Sequence, residues 1–148
     1  MLGMQIAIGL GLMVITIMIH SIFMVGGAKL VRWRKSRFGS TKKDMQRALL
    51  LSLLVAWLFL AIALEAMIWA LFYLWSPEIT ALPDLETAFY FSMVTFTTLG
   101  FGDVVLTGPW RTLASIQAAN GVIIFGWTTA LIFFYIQNVY NESNKGER

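Results

Sequence analysis

The sequence predicts an all-α membrane protein with three transmembrane helices plus one shorter re-entrant helix. Three observations point there. Of 148 residues, 58% are hydrophobic and 13% charged, whereas about a quarter of a soluble domain is charged. Three apolar stretches, residues 4–27, 49–75 and 113–140, reach the roughly 20 helical residues that cross a hydrocarbon core of about 30 Å. A fourth apolar run, between the last two, is too short to cross and ends in glycines.

The first stretch lacks a basic n-region and exceeds the apolar core of a signal peptide, so it reads as a retained span. Orientation follows from charge. Eight of the eleven basic residues (Lys29, Arg32, Arg34, Lys35, Arg37, Lys42, Lys43, Arg47) lie in one loop with Asp44 as its acid. The positive-inside rule makes that loop cytoplasmic. The amino terminus is then outside and the carboxyl terminus inside. Residues 76–111 face outward with Glu78, Asp84, Glu86 and Asp103 against Arg111, and an acidic mouth concentrates cations.

Within the basic loop, "KLVRWRKSRF" interleaves Leu30, Val31, Trp33 and Phe38 with cations, as a helix lying on the inner membrane surface does. A topology determinant alone reads equally well. Gly39 ends the run, and Thr41 with Asp44 forms a candidate capping box for the second span. Nucleic acid is a poor partner for charges held at a membrane.

The short run begins after "SPEITALP". Asp84 is placed to cap a helix whose first turn carries Glu86, and "LETAFYFSMVTFT" extends roughly 20 Å, too short to span. It is therefore re-entrant or interfacial. Irregular backbone at membrane depth survives where protein surrounds it or where it lines water, so "TTLGFGD" predicts an aqueous or ion-accessible lining. Residues free to take positive φ, alternating with residues that are not, turn consecutive carbonyls to one side. Gly100 and Gly102 supply that alternation around Leu99 and Phe101. Such a carbonyl row, with the Thr98 hydroxyl below it, replaces a cation's water shell. The short helix points its negative dipole end at the same place.

"TFTTLGFGD", residues 95–103, resembles the potassium-channel filter pattern T-x-x-T-x-G-Y-G, with Phe101 where Tyr is commonest. "AFYFSMVTFTT" resembles the pore helices of two-pore-domain and bacterial potassium channels, and "WRTLASIQAANGVIIFGWTTA" the inner helix of bacterial two-span channels. The resemblance implies a homotetrameric potassium channel in a cell membrane, of the bacterial inner-membrane kind. K+ is the permeant ion, and no cofactor is needed. Together with the spans and charges above, the resemblance divides the chain into a first transmembrane helix over 1–28, a basic cytoplasmic interfacial segment over 29–47 and a pore domain over 48–140. That domain holds an outer helix (48–75), a pore helix (84–97), a filter (98–103) and an inner helix (112–140), followed by a cytoplasmic tail (141–148). Thr98, Leu99, Gly100, Phe101 and Gly102 form the ion-binding filter, and Thr95, Thr97, Tyr90 and Asp103 support it. Gly121 falls at the hinge glycine, and Val122, Phe125, Thr129 and Phe133 on the cavity and gate face. Leu99 departs from the usual Val or Ile. Phe101 lacks the phenol hydroxyl that braces the filter in the family, which makes Tyr90 and Asp103 the expected bracing pair.

Other polar residues leave alternatives open. Glu65 lies about 26 Å from the inner end of the second span, to brace the pore helix or to titrate and gate. His20 lies about 12 Å from the inner end of the first, so a direct His20–Glu65 pair within one subunit is not expected. It faces a neighbouring helix or serves as a pH switch. Gln117 and Asn120 share a face, to bond across helices or to wet the cavity. Trp75 and Trp110 suit the outer interface and Trp33 the inner, where the basic loop would meet anionic lipid. The sequence has no cysteine and one histidine, and it shows no catalytic constellation, phosphate loop or arginine-rich span, so an enzyme is not expected. A weakly selective cation channel of the same architecture and a non-conducting accessory subunit are the competing functions.

Overall fold

The computed structural model describes residues 2–38 and 44–145, and the side chains of residues 2–33 and 45–137. The order is α1 (Leu2–Phe38), α2 (Asp44–Trp75), α3 (Leu85–Phe96), a 3-10 turn (Gly108–Trp110) and α4 (Arg111–Lys145). Among the described residues, three apolar segments, Leu2–Trp33, Met45–Trp75 and Gly108–Gln137, are long enough to cross a membrane. At 1.5 Å per residue each is about 45 Å long, more than the hydrocarbon alone requires. The architecture is the all-α one expected.

α3 forms where Asp84 caps it. The Asp84 backbone is extended (φ −144°, ψ 168°) and its Oδ1 accepts the Thr87 N–H at 2.8 Å. Such a cap is worth about 1 kcal/mol. Twelve residues make α3 about 18 Å long. It sits in a core of Trp69, Tyr73, Phe91, Phe96, Leu113 and Ile124, where the Tyr73 and Phe91 rings meet edge to face at 5.5 Å. Trp110, expected at the interface, is 8% exposed and belongs to this core, whereas Trp75 is 80% exposed.

One expectation about α1 and one about α4 are corrected. The helix does not end near residue 28 to give a separate surface segment; it runs unbroken to Phe38. The expected end of the basic run at Gly39, the capping box of Thr41 with Asp44, and the side chains of Arg34, Lys35, Arg37, Lys42 and Lys43 lie outside the described residues. Likewise α4 continues past residue 140 into the expected tail.

The longer α1 changes the register against α2. Gly27, taken from sequence as the inner end of the span, lies beside Leu54 and Trp57, and Trp57 Nε1 donates to Phe23 O at 3.0 Å. Counted from the true helix ends, His20 and Glu65 differ in depth by roughly 5 Å, less than one turn. They meet: His20 Nδ1 is 3.0 Å from Glu65 Oε1, and both side chains are fully buried. The pair that the sequence spacing argued against is therefore present.

Candidate functional site

The chain leaves α3 through Thr97, whose N–H and hydroxyl both bond to Met93 O, at 2.9 and 2.8 Å. The Thr98 N–H then bonds to Thr95 O at 3.0 Å, and those of Leu99 and Gly100 share Val94 O at 3.0 and 3.3 Å. Four successive N–H groups thus point back at the end of α3. In a trans peptide the preceding carbonyl points the opposite way, so the oxygens of Thr97, Thr98 and Leu99 are directed away from the helix. Among the described residues, no backbone hydrogen bond outside the helices is accepted by a carbonyl of residues 97–102.

Left-handed backbone recurs at alternate positions here. Thr98, Gly100 and Gly102 have φ of 60°, 55° and 82°. Glycine takes this region freely. Thr98 does not, for a β-branched residue there is strained by about 1–3 kcal/mol, and it is the non-glycine residue with positive φ among those described. Sequence reasoning assigned the alternation to the glycines and missed its first member. Residues 97–103 are all exposed in the single chain, Leu99 by 58% and Phe101 by 66%. Thr95 is half-buried.

At the outer end, Tyr90 OH donates to Asp103 Oδ2 at 2.7 Å, tying α3 to the end of the loop. That bond holds the Asp103 carboxyl below its ordinary range, since the hydrogen bond favours the ionised form. The same contact raises Tyr90.

Behind α3, three buried side chains lock helix to helix. Tyr73 OH donates to Gln117 Oε1 at 2.7 Å, Gln117 Nε2 donates to Ser92 Oγ at 2.5 Å, and Ser92 Oγ donates to Ala66 O at 2.7 Å. Asn120 Nδ2 donates to Thr16 Oγ1 at 2.7 Å. Gln117 and Asn120 are fully buried and so bond across helices instead of wetting a cavity. Tyr73, Ser92, Thr16 and Thr128 were not singled out from sequence; their signal was polarity inside apolar helices, where such groups seek partners.

Gly121 is buried where α4 meets the end of α3. A Cβ there would lie 1.8 Å from Phe96 O and 2.8 Å from Phe96 C, so α4 seats the end of α3 against bare backbone. On α4, Val122, Thr129 and Phe133 are exposed, while Phe125 is half-buried with its ring 6.4 Å from that of Phe96.

The structure thus gathers residues 90 and 95–103 into one unit seated on Gly121. Glu65 and His20 lie apart from it, in a junction with Thr128, whose Oγ1 is 3.1 Å from His20 Nε2. A family model described as ion channel matches residues 51–138, which span α3, the loop and most of α2 and α4. No curated protein and no solved structure matches the chain.

Proposed function

The chain belongs to the ion-channel family, of the two-span, potassium-channel-like kind, and on that footing we propose that four copies enclose one pore that passes K+ selectively and passively across a cell membrane. The observation that carries this reading is the loop after α3: alternate left-handed residues at 98, 100 and 102, with carbonyls directed away from the helix and free of backbone donors. Such oxygens at membrane depth require a partner. A cation that has shed its water supplies one.

In this reading Thr98, Leu99, Gly100 and Phe101 offer backbone oxygens to the ion, and the Thr98 hydroxyl completes the inner end. The C-terminal dipole of α3 stabilises a cation waiting there. One chain lines one side of an ion. Fourfold rotation completes the cage and covers the exposed Leu99 and Phe101, as closed cyclic assembly does. Gly102 completes the filter at its outer end, and Thr95, Thr97, Tyr90 and Asp103 hold its shape. Val122, Phe125, Thr129 and Phe133 line the cavity and gate, and the amino terminus lies outside with the basic segment against anionic inner-leaflet lipid. Membership of an ion-channel family supports transport and not catalysis.

The test is flux from liposomes holding the purified protein, under potassium and under sodium gradients, with barium as blocker and Gly100→Ala as control. Potassium-specific, barium-sensitive flux that Gly100→Ala abolishes is the expected outcome. Equal sodium and potassium flux would replace it with a weakly selective cation channel. Silence under every gradient would favour an accessory subunit.

A further inference from the structure

α1, α2 and α4 meet in mid-span at a buried polar junction that the ion path does not use. His20 on α1 contacts Glu65 on α2 at 3.0 Å through Nδ1 and Thr128 on α4 at 3.1 Å through Nε2. His20 and Glu65 are fully buried and Thr128 is 8% exposed. Further outward, one turn along α1 and about two along α4, Asn120 on α4 is tied to Thr16 on α1. Glu65 Oε2, Trp69 Nε1 and Asn120 Oδ1 are buried with no protein partner.

The charge count around this junction is short. The sequence places no Lys or Arg in residues 2–28, 48–75 or 112–137. Tyr73 on α2 is bonded to Gln117, and Tyr135 lies seven residues inward of Thr128 on α4, about 10 Å away. From α3, which packs on α2, Glu86 and Tyr90 are exposed, and Tyr90 is bonded to Asp103. Among the described residues, His20 is thus the group placed to neutralise Glu65. A neutral imidazole beside a carboxylate leaves one net negative charge in a site sealed from water, with Oε2 unsupported. One added proton removes it, whether the pair is then imidazolium with carboxylate or imidazole with carboxylic acid. Buried charge persists only when compensated.

We propose that His20, Glu65 and Thr128 form a proton-binding site whose single shared proton holds α1 against both α2 and α4. With the proton bound, the three helices are joined by a neutral network. On its loss the bare carboxylate draws in water and loosens the grip of α1 on α4 at Thr128 and Asn120. Because α4 also carries Val122, Thr129 and Phe133 on its exposed face, the proton becomes a ligand that regulates conduction. That last step rests on the channel reading above.

His20 is the one histidine in the sequence, so the full chain labelled with 15N-histidine in liposomes gives a single imidazole to follow. We would titrate its nitrogen shifts with pH and measure barium-sensitive flux on the same preparation. The expected result is one imidazole midpoint that coincides with a midpoint in flux, the flux changing by at most about tenfold per pH unit for one coupled proton. Glu65→Gln moves both midpoints together, because it removes the carboxylate bonded to the imidazole, and Thr128→Val, which keeps shape and charge, moves both as well. An imidazole that titrates at the same pH in wild type and both variants overturns the proposal, as does flux indifferent to pH while the imidazole titrates. Should Glu65→Gln not fold, Thr128→Val alone decides. If no preparation conducts, the channel reading fails separately, and the imidazole midpoints still decide the proton site.

Discussion

Replacing Gly121 by alanine tests whether the inner-helix glycine is a seat for α3 or a hinge. Its Cβ would stand 1.8 Å from Phe96 O and 2.8 Å from Phe96 C. Ordinary contact requires the two backbones to part by roughly 1.2 Å or more, and neither partner is a side chain that can rotate away. Against this, alanine gains about 1 kcal/mol over glycine in a helix interior. Forcing a single extra methylene into a tight core costs about 1–3 kcal/mol, and an overlap this deep between main chains lies at or above the upper end. The collision wins, with a net loss of about 1–2 kcal/mol or more. For a chain of this length that is a fall in Tm of about 2–8 °C, read by circular dichroism in detergent. The displaced end of α3 carries the N–H acceptors of residues 97–100 with it, so barium affinity falls too. A Gly121→Ala protein with wild-type Tm and barium affinity but altered opening would refute the seat and restore the hinge.

Tyr90→Phe removes the hydroxyl that Asp103 accepts, and we expect less sustained potassium flux with the fold intact; unchanged flux would show that the bond braces nothing. Because Asp103 is held below its ordinary range, the bond's contribution is full above the unfolded carboxylate value and disappears as pH falls through the lower folded one, so wild-type flux in acid should approach that of Tyr90→Phe, and two parallel pH profiles would count against it. Thr98→Gly relieves a left-handed β-branched residue, φ 60°, worth about 1–3 kcal/mol, so Tm should hold or rise while barium block weakens; a clear fall in Tm would contradict the strain. Gln117→Leu strips Tyr73 of its acceptor and Ser92 of a donor and should cost about 1–3 kcal/mol, seen as a lower Tm that an unaltered melting curve would disprove.

Much of the site was legible in one dimension. Asp84 followed by Glu86 announced the start of α3, and the cap is the observed one. Gly100 and Gly102 announced left-handed backbone and have it. These are properties of residue types acting on their own few bonds. Thr98 shares the same conformation yet has no local preference for it; the hydrogen bonds from Thr98, Leu99 and Gly100 to the end of α3 impose it. Its strain became visible only with the fold.

The sequence by itself determined that three helices can span and one cannot, and where the irregular polar loop falls, because apolar length, capping and dihedral freedom are local quantities. The tertiary structure decided which polar residues meet. His20 and Glu65 are partners because Gly27 slides past Leu54 and Trp57 instead of ending its helix, and Gly121 matters because Phe96 O presses on it. Helix register is set by close approach between residues far apart in the chain. No periodicity within either helix records that distance.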